Sequence, residues 1–207
     1  MIFNKLIQRW SNPGGYHETL IIAFPLIMST SSWSILMFVD RLFLTWFSED
    51  SIAASVPAGV VQFTAVSLFL GTAMYVSTFV AQYFGSNQKE KIGGAVWQGI
   101  YFSFSAMVFM LFLIPLAGPI FSLANHSESI QILERKYFTI LCFGGFFPVA
   151  SAAISSFFSG LGRTWTVMWV NFIGVGINII LDYALIFGNF GFPRMGIEGA
   201  AIASVIG

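Results

Sequence analysis

Apolar residues run through this chain in long blocks, cut by short polar links. The first block covers about His17 to Phe47, the second Ile52 to Phe84 and the third Ile92 to Ala124. The fourth covers Ile130 to Phe158, the fifth Thr164 to Phe187, and a sixth opens at Gly196. A helix needs about 20 apolar residues to cross the ~30 Å hydrocarbon core of a bilayer. The first five blocks meet that length. The links, such as Ser48-Glu49-Asp50 and Gly160-Leu161-Gly162-Arg163, are short, so neighbouring helices should run antiparallel. The pattern predicts an all-α integral membrane bundle. The final stretch, GIEGAAIASVIG, gives about 18 Å of helix at 1.5 Å per residue. It is shorter than the core, so the sixth helix is expected as a truncated one.

Residues 1–16 follow another pattern. Ile2, Phe3, Leu6, Ile7 and Trp10 share one helical face beside Lys5 and Arg9, and Asn12-Pro13-Gly14-Gly15 follows. This suits an interfacial amphipathic helix on the membrane surface. A frayed tail is the alternative.

Charge then fixes orientation. Lys5, Arg9, Lys89, Lys91 and Arg163 fall on one side of the membrane. Glu49, Asp50, Glu128 and Arg194 fall on the other, with Arg135 and Lys136 inside the start of the fourth span. The positive-inside rule puts the N-terminus in the cytoplasm. Composition removes other classes. The chain is 57% hydrophobic and 9% charged, against about 25% charged in soluble domains. Net charge is zero, which gives nucleic acid no purchase. The single cysteine, Cys142, permits no disulfide within the chain and reads as a small buried hydrophobe.

Few polar groups remain inside the spans, and they are the candidate chemistry. Asp40 closes a chargeless run from Thr19 to Val39. An acid near that depth costs roughly 3 kcal/mol on insertion scales, and such acids read first as ion or proton sites. In the fifth span Asn171, Asn178 and Asp182 stand at i, i+7 and i+11. At about 100° per residue they form one stripe, with Asn178 and Asp182 one turn apart and able to touch. Asn171 and Asn178 can equally glue helices by hydrogen bonds, and Asp182 can equally sit at the headgroups. Asp40 and Asp182 both come late in outward-running spans, so two acids and an amide oxygen at one depth suit a proton or a hard cation such as Na⁺. Arg41 points about 100° away from Asp40 and is expected to snorkel or pair elsewhere. Pro25 inside the first span predicts a bend, either static or a moving part. Gln62, Asn171 and Trp33, two turns before Asp40, are candidates for lining a pocket. Gln62, Gln82 and Gln98 can alternatively bond across helices. His17 and His126 fall at span ends, where histidine is unremarkable. No nucleophile and base stand together, so enzymatic chemistry has no support.

Several segments in order resemble the MATE (multidrug and toxic compound extrusion) transporters: FPLIMS, FVDRLFLTWFSEDSIAASVPAG, FVAQYFGSNQKEKIG, SGLGRT and NIILDYALIFGNFGFPRMGIEGAAIAS. The resemblance runs from about residue 17 to 207. It implies that 17–207 is the N-terminal lobe, with a truncated sixth helix, of a twelve-helix, two-lobe transporter whose C-terminal lobe is missing here. It implies a bacterial inner-membrane, multi-pass antiporter. Such a protein exports cationic or amphiphilic small molecules in exchange for Na⁺ or H⁺, with no other cofactor. By motif match Asp40, Asn178 and Asp182 hold the coupling cation, Ser204 joins them from the sixth helix, and Pro25 bends the first. Two rivals stay open. One is a flippase of the same superfamily for a lipid-linked oligosaccharide or peptidoglycan precursor. The other is a non-transporting scaffold, with the acids merely paired to Arg41 or Lys136.

Overall fold

A computed structural model of the chain describes residue 10 and residues 15–207. The surface segment expected over residues 1–16 lies almost wholly outside the described residues. The described residues form nine α-helices: α1 Tyr16–Phe47, α2 Glu49–Met74, α3 Val76–Gly85, α4 Ile92–Leu113, α5 Ala117–Ser122, α6 Glu128–Phe143, α7 Phe146–Gly160, α8 Thr164–Phe187 and α9 Ile197–Ile206. Short 3-10 turns at Lys89–Lys91 and Ile114–Leu116 join them.

These helices compose the five expected spans. Three single passes of membrane-crossing length and composition are α1, α2 with α3, and α4 with α5; α8 is a fourth. The fourth block in sequence is two helices, α6 and α7, bent by 43° at Gly144–Gly145. Glycine permits that bend because the helices crowd there. A β-carbon on Gly144 would run into the Val205 side chain, and one on Gly145 would meet Met110 at 2.7 Å. The second span also breaks, at Tyr75. There Ser156 of α7 donates a hydrogen bond to the freed Met74 carbonyl at 3.2 Å. In hydrocarbon a broken helix must have such a substitute partner. Gly160 seats α7 on α3, with Ser77 O 2.7 Å from where its β-carbon would stand.

Pro25 does not break α1, which is continuous over its 32 residues. Pro25 is buried within it. Hydroxyls along the spans bond their own helix: Ser31 and Ser32 donate to the carbonyls of Ile27 and Met28, and Thr64 to Val60. Such back-bonding satisfies a hydroxyl where lipid offers nothing. Leu68, Phe112 and Ile180 are left on the outer surface, where acyl chains, as apolar as they are, replace water. The core is built instead from Leu44, Ala54, Met110, Phe121, Phe138, Cys142, Val149 and Ile186.

Candidate functional site

α1 and α8 run in the same direction and pack side by side. Phe24 meets Trp165 near their starts at 6.1 Å, and Phe43 meets Tyr183 and Phe187 near their ends at 6.0 and 5.9 Å. This pairing brings Asp40 against the Asn178–Asp182 stripe. Asp40 is 5% exposed, Asn178 1% and Asp182 0%. The two carboxyl groups act on each other electrostatically. The aromatic contacts follow both acids in sequence, toward the ends of α1 and α8.

α9 folds back antiparallel to α8. Met195 N and Gly196 N bond the carbonyls of Leu185 and Ile186 at 2.9 and 3.2 Å, which anchors its start. Gly199 then lets α9 lie on the α8 backbone, because a β-carbon there would stand 2.7 Å from the Leu185 carbonyl carbon. Gly207 approaches Asn178 as closely, at 2.6 Å to its Cβ. Ser204 is thereby carried to the depth of the acids. It stands beside Tyr137 of α6, whose hydroxyl lies within electrostatic reach of both Asp40 and Asp182. Four helices, α1, α6, α8 and α9, thus meet around one buried polar cluster.

The cluster is short of hydrogen bonds. Asp40 Oδ1, both oxygens of Asp182, and Asn178 Oδ1 and Nδ2 are buried with no partner among the described residues. Asn178 and Asp182, expected to touch, share a face without bonding each other. Buried polar atoms are nearly always paired, and an unpaired buried carboxylate is costlier than an unpaired amide. Two buried carboxylates within electrostatic reach of each other, with an unpartnered amide oxygen on the same helix face as one of them, are the kind of oxygen donors that suit a hard cation or a proton.

The other sequence candidates are placed differently. Asn171 and Gln62 are half-buried, and Gln82 is exposed. Trp33 is 56% exposed on α1. Arg41 is also exposed, and no ion pair joins it to Asp40 among the described residues. Lys136 is bonded elsewhere, to Glu198 Oε1 at 2.7 Å. Neither cation therefore neutralises the acids by direct pairing. A cavity of about 500 Å³ between α3 and α4 is lined by Gln98 with Phe79, Tyr83 and Lys91, apart from the acids.

Two residues of consequence are absent from the sequence expectations. Tyr137 looks like any apolar aromatic until the bundle turns it toward the acids. Glu134 belongs to a polar run, ERK, at a span end and reads as interfacial. The structure instead buries it completely, with Oε1 2.7 Å from His126 Nδ1. His126 is therefore the partner of a core acid rather than a bland end residue. The signal for Glu134 is its helical spacing: it stands three and four residues before the buried Tyr137 and Phe138.

A family model described as MatE matches residues 25–184. A probable multidrug resistance protein NorM of Bacillus cereus is 31% identical over 190 residues, covering 90% of this chain and 42% of that protein. Its counterpart in Bacillus thuringiensis subsp. konkukian is 32% identical over 187 residues, covering 89% and 41%. Among solved structures, an outward-facing multidrug resistance MATE family transporter of the MOP superfamily superposes with TM-score 0.81 at 22% identity, covering 91% of this chain and 41% of that one. A MOP superfamily transporter from Pyrococcus furiosus, with a binding pocket of reversed polarity, superposes with TM-score 0.79 at 20% identity, covering 91% and 41%. The chain thus spans about two fifths of the length of the proteins it matches, the extent of one lobe.

Proposed function

The chain belongs to the MatE family, and from that membership we propose that its buried acid cluster binds the coupling ion of a drug antiporter. Residues 17–207 act as the N-terminal lobe of that transporter, with a second six-helix lobe completing the cleft. Asp40 and Asp182 hold the ion, Na⁺ or H⁺. Asn178 supplies an amide oxygen, and Ser204 closes the set from α9. The one observation that carries this reading is that Asp40, Asn178 and Asp182 are all buried, and that Asp40 Oδ1, both Asp182 oxygens and the Asn178 amide have no hydrogen-bond partner among the described residues. Fixed ion pairs would make the same residues structural. Here Lys136 is taken by Glu198, and Arg41 lies exposed beyond pairing distance.

The lobe does the following work. An ion entering the cluster replaces the repulsion between two carboxylates with attraction to both. α1, α6, α8 and α9 share that cluster, so occupancy biases how these helices pack. A second lobe rocking against them converts the bias into alternating access for an amphiphilic or cationic compound. The Lys89, Lys91 and Arg163 side supports a cytoplasmic N-terminus, in an inner membrane by the family resemblance. A lipid-precursor flippase of the same superfamily usually has a more basic cavity, and the spans of this chain offer Arg41 for one; a lipid-translocation assay discriminates the two readings.

Ion binding tests this directly. The protein is reconstituted in nanodiscs, and Na⁺ binding by calorimetry and proton uptake after a pH jump are measured. Asp40→Asn and Asp182→Asn should each abolish whichever of the two the native protein shows, while helical content is kept. Unaltered binding in both variants would overturn the assignment.

A further inference from the structure

Glu134 and His126 lie outside the cluster just described, and the mechanism above does not use them. The Glu134 side chain is fully buried in α6. Its Oε1 is held by His126 Nδ1 at 2.7 Å, and its Oε2 is buried with no partner among the described residues. His126 keeps 38% of its side chain exposed, in the turn that follows α5. That turn is fixed. Asn125 takes a left-handed φ of 54°, and Gln131 Nε2 donates to the His126 carbonyl at 2.8 Å. The imidazole thus faces solvent on one side and a core carboxylate on the other.

No other charge competes for Glu134. On its own helix Arg135 lies over Gly118 of α5, 3.8 Å from where a β-carbon would stand, and Lys136 is bonded to Glu198. Glu128 opens α6 and is exposed. Of the elements packed on α6, α2 begins with Glu49 and Asp50, both exposed, and α9 carries only Glu198. α4 carries no acid or base beyond Tyr101, and α5 carries none. The charge of Glu134 is therefore balanced by His126 alone.

We propose that His126 and Glu134 form a second proton-binding site, loaded from the outer face, which sets the position of α6 and through it of Tyr137. A proton taken from outside water at His126 Nε2 makes an imidazolium, whose Nδ1–H donates to the Glu134 carboxylate. Loss of that proton leaves one net negative charge in the core. A buried ion without its counter-ion costs several kcal/mol, so the outer end of α6 must yield and admit water. Glu134 and Tyr137 are one turn apart on one face of the helix. Gly144–Gly145, where α6 meets α7 at 43°, is the joint about which α6 can shift. External proton activity thereby adjusts the hydroxyl that faces Asp40 and Asp182. Only this last step rests on the ion-binding reading, and Tyr137 can be observed independently of ion binding.

The chain has two histidines, His17 and His126, so His17→Asn leaves one imidazole to follow. In nanodiscs, His126 is observed by ¹⁵N resonance, and a 3-fluorotyrosine placed at Tyr137 by ¹⁹F resonance, from about pH 5 to pH 8, where imidazole charge changes. The expected result is a fluorine shift that moves with the same midpoint as His126. That movement should be lost in Glu134→Gln and in His126→Gln. Should Glu134→Gln fail to fold by circular dichroism, His126→Gln carries the test. A histidine that does not titrate, or a fluorine signal unmoved across its titration, overturns the proposal. So does a fluorine shift that persists unchanged in the variants.

Discussion

Two groups of acids in one half of this bundle, where α1 and α8 end and α6 and α9 begin, are treated in opposite ways. On α1 and α8, Asp40 and Asp182 are buried, adjacent and without hydrogen bonds for most of their oxygens. On α6 and α9, Glu134 and Glu198 each hold a cation or imidazole at 2.7 Å. Burial does not separate them, because Glu134 is as buried as Asp182. The partner does. An acid with its counter-ion supplied by the protein is committed to the fold. An acid without one is left open to a proton or an ion. The difference teaches that an intramembrane carboxylate points to ion coupling only after its partners have been counted.

The largest break in that comparison comes from taking the partner away. His126→Ala leaves Glu134 with neither oxygen bonded in the core. The expected loss is about 3 kcal/mol, the range for orphaning one member of a buried pair, reduced somewhat because the imidazole is partly exposed. Denaturant unfolding in micelles measures it. Adding Glu134→Gln to His126→Ala should recover most of the loss, since a neutral amide needs no counter-ion. No recovery would mean that His126 acts through packing alone.

Asp182→Asn should move stability the other way. Both carboxyl oxygens of Asp182 lack partners, and Asp40 stands within electrostatic reach. A neutral side chain of the same shape removes that repulsion and part of the burial penalty, for a gain of about 1 kcal/mol. The same unfolding assay reads it in sodium-free buffer. A gain in stability that accompanies lost ion binding is the signature of a site held strained for function. A loss of stability would put Asp182 with Glu134 among the structural acids.

Much of this arrangement is legible before folding, for identifiable reasons. Lipid length fixes the spans, so α8 ends at Thr164 and Phe187 as its apolar block does. The 100° step places Asn178 and Asp182 on one face, and a chargeless run makes Asp40 conspicuous. Tertiary geometry is what local pattern leaves out. Asn178 and Asp182 share a stripe yet do not hydrogen-bond each other, since one helix face allows contact without fixing side-chain geometry. The helix breaks at Tyr75 and at Gly144–Gly145 are not announced by the apolar blocks, the second arising where Val205 and Met110 crowd the glycines. Glu134 was hidden by position. A polar run at a span end reads as interfacial until the turn before α6 folds an imidazole over it.

The smallest effect is expected where a pair is exposed. Lys136 and Glu198 approach to 2.7 Å, as close as His126 and Glu134, but their side chains are 53% and 38% exposed. Water and salt reach both, and exposed pairs contribute less than about 1 kcal/mol. Lys136→Met keeps the apolar stem against α9 and removes only the charge. Unfolding in micelles should therefore shift by about 0.5 kcal/mol or less, and the shift should vanish in high salt, where charges at this separation are screened. At equal distance the two pairs would then differ several-fold in energy, with burial of the carboxylate as the cause. A loss from Lys136→Met as large as that from His126→Ala would show that tying α6 to α9 matters more than the charge in the core, and the contrast between exposed and buried pairs would fail.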